Sequence, residues 1–174
     1  SLFLFIRRRN QIVSFISENR RVIIATEAIF LLSFILIAVV RAYNPDISYT
    51  EKPMDFAFLN GILRSDYFPP NDPWLSGYGL NNYYFGHMIM ATLTKLTGIS
   101  SAVTFNLSLA LVFALAAIGA FSIVYNLVKL CRGGTKAAIG FGLVAAGFLL
   151  ILGNLEGVLE FLYAHGVGGE GFWA

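Results

Sequence analysis

"VIIATEAIFLLSFILIAVV", Val22 to Val40, decides the fold class. At about 1.5 Å per residue a helix over this stretch comes close to crossing a ~30 Å hydrocarbon core. Arg7, Arg8, Arg9, Arg20 and Arg21 precede it. By the positive-inside rule that flank places the N-terminus in the cytoplasm and sends the chain after Val40 outward. The following "VVRAYNP" is a poor cleavage site, so the span reads as an uncleaved helix in the cell membrane. Residues 1–21 read as a cytoplasmic basic and amphipathic segment, of which 1–18 suit the inner interface.

The whole composition agrees with a lipid solvent. Of 174 residues, 57% are hydrophobic and 13% charged, more apolar surface than one soluble core of this size can hide. Cys131 is the single cysteine, which excludes an intramolecular disulfide framework, and two histidines are too few for a histidine-rich metal site. The net charge of +2, with arginines gathered at the start, gives no nucleic-acid-binding stripe. No nucleotide-binding loop, haem or quinone signature, or nucleophile elbow occurs.

Further apolar stretches extend the pattern to an all-α integral membrane protein of about four transmembrane helices: 22–40, 83–98, 102–128 and 137–153. The second is short and contains His87 and Lys95. If it crosses, Lys129, Arg132 and Lys136 fall outside, against the positive-inside rule; if it is re-entrant, they fall inside. Glu27 within the first span is costly unless it pairs or snorkels. Gly140, Gly142 and Gly147 suit close helix packing.

Residues 41–82, expected as a long outer loop, differ from the rest. They hold all five prolines, the acids Asp46, Glu51, Asp55, Asp66 and Asp72, and four of the eight tyrosines. Pro53 suits the first turn of a helix and Asp55 suits its dipole. The pattern therefore predicts a surface helix over 53–64, with Phe56, Leu59, Ile62 and Leu63 facing the outer leaflet. The following "DYFPPNDPW" must be extended and turning.

The segments "RAYNPDI" (41–47), "EKPMDFAFLNGILRSDYFPPNDPWLSGY" (51–78) and "NYYFGH" (82–87) resemble the YYY family of multi-spanning membrane proteins. Weaker echoes lie in "TFNLSLA" (104–110) and "GNLEG" (153–157). Asn82 stands where the first tyrosine of the family's triplet is expected, ahead of Tyr83 and Tyr84. The resemblance implies that the chain is the N-terminal part of a longer protein, with residues 154–174 a tail leading onward.

In layout that family is similar to the GT-C class of membrane glycosyltransferases, which carry a catalytic acid in the first outer loop. The implied function is sugar transfer from a polyprenyl-phosphate donor. It needs a carboxylate as base and cationic groups, or a divalent cation, for the phosphate. Asp55 is the first candidate base and Glu51 the second; both also read as a helix-terminal acid and a solvated loop charge. Arg64, Tyr83, Tyr84, His87 and Trp74 are candidate substrate-binding residues. The aromatics equally suit an interfacial belt, Arg64 a headgroup contact, and His87 a bond to a neighbouring helix. Asp66 and Asp72 read as turn formers. Glu156, Glu160 and His165 have helical spacing but no complete metal ligand set. The alternative function is a non-catalytic accessory subunit packing with other membrane subunits; a transporter fragment is weaker for want of an inverted repeat. Membrane lipids are the expected surroundings, and nucleic acid is not a partner.

Overall fold

A computed structural model describes residues 7–75, 77–81, 84–152 and 155–167, without the side chains of 155–158 and 161. Its helices are α1 (Arg9–Tyr43), α2 (Lys52–Arg64), α3 (Tyr84–Thr97), α4 (Ser101–Leu130), α5 (Thr135–Ile151) and α6 (Leu155–Ala164). Among the described residues the only β pairing is an isolated bridge between Asn71 and Gly79. Two helices, α1 and α4, are long and apolar enough to cross a membrane, and α5 is a shorter apolar helix.

Helix α1 is 35 residues long because nothing from Arg9 to Tyr43 is a proline or glycine. Residues 9–21, part of the basic and amphipathic segment, are its first turns. It ends where Asn44 precedes Pro45, a residue pair that disfavours helical backbone. Helix α3 has only 14 residues, about 21 Å, and stops at Gly98, whose φ of +67 suits a residue without Cβ.

The chain divides into two compact units, one of Phe34–Val112 and one of Ser1–Ser33 with Phe113–Ala174. In the first, α2 begins one residue before Pro53 and buries Phe58, Leu59 and Ile62. Leu59 and Ile62 form a core with Ala91 of α3 and Phe105 of α4, and Phe56, Leu63, Tyr84 and Met90 pack around it. Phe56 and Phe105 meet edge to face at 5.6 Å. The stripe expected to rest on lipid is thus covered by two neighbouring helices. An apolar helical face satisfied by protein has no need of a leaflet. The buried Thr94 and Thr104 hydroxyls bond at 3.0 Å between α3 and α4, removing the cost of burying both.

The chain's reversal after α1 is fixed by one side chain. Arg41 donates from Nε to Asn106 Oδ1 at 2.7 Å and from its Nη2 to the Asp46 carbonyl at 2.9 Å. Asn106 Nδ2 in turn donates to the Pro45 carbonyl at 3.2 Å. The end of α1, the loop after it and the first turns of α4 are therefore one polar network.

In the second unit, Phe121 of α4 is fully buried and Gly142 of α5 lies against it. A Cβ at Gly142 would sit 2.7 Å from the Phe121 ring and 3.0 Å from its carbonyl oxygen, whereas Gly140 and Gly147 have open space. Gly142→Ala is expected to lower stability by about 1–3 kcal/mol through overpacking, while Gly140→Ala and Gly147→Ala do not. Thermal unfolding of the purified variants in detergent checks this; equal transitions for all three would show that the contact does not constrain packing.

Candidate functional site

Asp55 sits in the first turn of α2, where the preceding proline starts the helix and the N-terminal dipole favours a carboxylate. His87 lies one turn into α3. Packing α2 on α3 through Leu59, Ile62 and Ala91 brings these two side chains together: Asp55 Oδ1 is 3.3 Å from His87 Nε2. The Asp55 side chain is 38% exposed and that of His87 23%, so the carboxylate faces outward and the imidazole stands behind it.

His87 is held from the side by Phe58, whose ring meets it edge on at 5.9 Å. Its Nδ1 is buried without a hydrogen-bond partner, alone in this among the described side-chain polar atoms. Leaving such an atom unsatisfied costs about 1–3 kcal/mol, a penalty that concentrates at sites serving more than stability.

Both residues line a cavity of about 210 Å³. Its other walls are Leu59 of α2, Gly86 and Met90 of α3, and Phe105, Ser108, Leu109 and Val112 of α4. The geometry is a polar pair at one edge of an apolar hollow, the form expected of a site for an amphipathic ligand. The segments "RAYNPDI", "EKPMD", "YFGH" and "TFNLSLA", far apart in sequence, all lie in this one unit.

The other candidates are placed elsewhere. Glu51 is the N-cap of α2, exposed and without a capping bond from its side chain, and is not part of the cavity wall. Arg64, at the far end of α2, lines a separate cleft of about 330 Å³ with Asn60, Asn71 and Asp72. Trp74 is 66% exposed. Tyr84 stacks on Phe68 with ring centroids 6.4 Å apart. Tyr83 lies outside the described residues, as does the side chain of Glu156. Asp72 is a turn former: its Oδ1 accepts from the backbone N–H groups of Trp74 (2.8 Å) and Leu75 (3.1 Å).

Tyr49 and Thr50, just before α2, have φ of +66 and +54. For a β-branched threonine this left-handed backbone is strained, and it sets the entry into the helix that presents Asp55. Strain of this kind leaves no residue-type signal, since glycine would be the expected occupant.

Among the described residues no group of three or more His, Cys, Asp or Glu side chains can hold a metal ion. Asp55 and His87 alone are too few donors for a protein-held divalent cation. A family model described as "Uncharacterized membrane protein (DUF2298)" matches residues 1–172. No curated protein and no solved structure matches the chain.

Proposed function

The chain belongs to the DUF2298 family of membrane proteins, and from that premise we propose that it carries the outer-face site of a GT-C-like, YYY-type transferase acting on a lipid-phosphate-linked sugar. The observation that carries this reading is the Asp55–His87 pair, 3.3 Å apart at the edge of an apolar cavity. A carboxylate that is partly exposed yet braced by an imidazole has the features of a general base, and apo distances at such sites are often loose.

In the reaction the acceptor hydroxyl gives its proton to Asp55 as its oxygen bonds to the anomeric carbon of the sugar. The bond from that carbon to the phosphate oxygen breaks, and its electron pair leaves with the lipid phosphate. His87 keeps Asp55 in place. The apolar wall of Leu59, Met90, Phe105 and Leu109 takes the alkyl part of the donor next to its phosphate.

The test is transfer from a polyprenyl-phosphate sugar by the intact protein in detergent or nanodiscs. Gly86 offers a specific probe, because a Cβ there meets nothing within 4 Å and so a larger side chain fills the cavity without a clash at its base. Gly86→Leu is expected to leave expression and unfolding temperature unchanged and to weaken binding of the lipid-phosphate sugar tenfold or more, on the order of one lost apolar contact region. Unchanged binding in that variant removes the cavity from the proposal. No binding by the intact wild-type protein favours the accessory-subunit reading.

A further inference from the structure

We propose a second ligand site, independent of Asp55 and His87: a cleft at the inner membrane surface that binds the phosphate headgroup of an acidic membrane lipid. The cleft has a volume of about 500 Å³. It is lined by Glu18, Arg20 and Arg21 of α1, Tyr125 and Lys129 of α4, and Thr135, the first residue of α5. All belong to the same compact unit. Three cations from two separate helices face one space against a single carboxylate, Glu18, so the cleft has a positive surplus. Among the described residues none of these cations is within ion-pair distance of an acid.

The turn between α4 and α5 builds the cleft. Arg132 takes a left-handed φ of +59, and the Gly133 N–H bonds back to the Val128 carbonyl at 2.9 Å, ending α4 abruptly. Gly133 is required there: a Cβ would lie 2.8 Å from that carbonyl oxygen. The tight reversal sets Lys129 Nζ 3.5 Å from Thr135 Oγ1, so the ammonium is aimed across the mouth of the cleft. Gly134, the N-cap of α5, has no side chain to bond the helix's first N–H groups.

Position selects the ligand. Arg20 and Arg21 immediately precede the apolar run of α1, and Lys129 closes the apolar run of α4, so the cleft lies at headgroup depth for both helices. A basic pocket between spanning helices at that depth suits a lipid phosphodiester: arginine forks bind its oxygens bidentately and lysine adds a point charge. Tyr125 gives the glycerol region an amphipathic wall.

Native mass spectrometry of the intact protein in neutral detergent, with added phosphatidylglycerol or phosphatidylcholine, tests the site. Phosphatidylglycerol is expected to be retained and phosphatidylcholine not. At about fivefold per basic group, the Arg20→Gln/Arg21→Gln/Lys129→Gln variant should bind on the order of 100-fold more weakly. Lys129→Gln alone, at an exposed helix end, should show the fivefold step even if the triple variant misfolds. Arg20→Lys/Arg21→Lys should keep most of the binding, and Arg7→Gln/Arg8→Gln/Arg9→Gln, outside the cleft, should bind as wild type. Equal retention of the two lipids, or an equal loss from the residue 7–9 variant, would reduce the cleft to general surface charge and overturn the site. Displacement by inorganic phosphate at comparable concentration would overturn the lipid and leave a soluble phosphate as the ligand.

Discussion

Replacing Asp55 by Asn in the intact protein is expected to lower transfer from a lipid-phosphate sugar by about 10²–10⁴-fold, the usual contribution of a general base. The amide keeps the size of the side chain and can still meet His87, but it cannot take the acceptor's proton. Because Asp55 is partly exposed and lies outside the Leu59, Ile62, Ala91 and Phe105 core, membrane insertion and unfolding temperature should hold. The loss should fall on kcat with substrate affinity nearly kept, the signature of an interaction made in the transition state. His87→Gln should cost less, about tenfold, since it removes the brace and leaves the carboxylate. Glu51→Gln should stay within about twofold of wild type, because Glu51 is absent from the cavity wall. Steady-state transfer by the three purified variants, measured beside thermal unfolding, decides the matter. Full activity in Asp55→Asn sinks the catalytic reading and leaves Asp55 a helix-terminal acid.

The parts of this arrangement that could be read from sequence are those with a local cause. Apolar length marks α1 and α4, Pro53 marks the start of α2, and the Pro-rich stretch marks the turns beyond it. What the sequence hid depends on which elements touch. An apolar stripe looks the same whether lipid or protein covers it, so the burial of Leu59 and Ile62 by α3 and α4 had no signature. Asp55 and His87 are 32 residues apart, and each alone has an ordinary explanation; only the packing of α2 on α3 makes them a pair. Glu51 and Asp55 show the reverse case. Their spacing of four suggests a shared face if the helix begins early enough; Glu51 is its cap and accepts the Asp55 N–H, and of the two only Asp55 lines the cavity.

Contacts also bear on topology, where sequence left two choices, and they lead to a labelling result that is nearly all or none. We propose that α3 does not carry the chain across the membrane. Asn106, near the start of α4, is bonded to Arg41 at the far end of α1, so α4 begins on the side where α1 emerges. Lys129, near the end of α4, shares a cleft with Arg20 and Arg21, so α4 ends on the side where α1 enters. With α1 outbound and α4 inbound, the 14-residue α3 is left on the outer side with α2. Lys129, Arg132 and Lys136 then join the five N-terminal arginines, which puts eight of the twelve Lys and Arg residues on the inner side and four, Arg41, Lys52, Arg64 and Lys95, on the outer side, a bias in the sense of the positive-inside rule. Cys131, exposed in the α4–α5 turn, becomes a native reporter of the inner face. In intact cells it should resist a membrane-impermeant thiol reagent and react only after lysis. Tyr78→Cys in a Cys131→Ser background, at a position 64% exposed in the outer loop, should react in intact cells. Labelling of Cys131 before lysis would mean that α3 crosses after all. That outcome would also strip the basic cleft of its place beside the inner leaflet, while leaving the Asp55–His87 contact, which lies wholly within the other unit, as it stands.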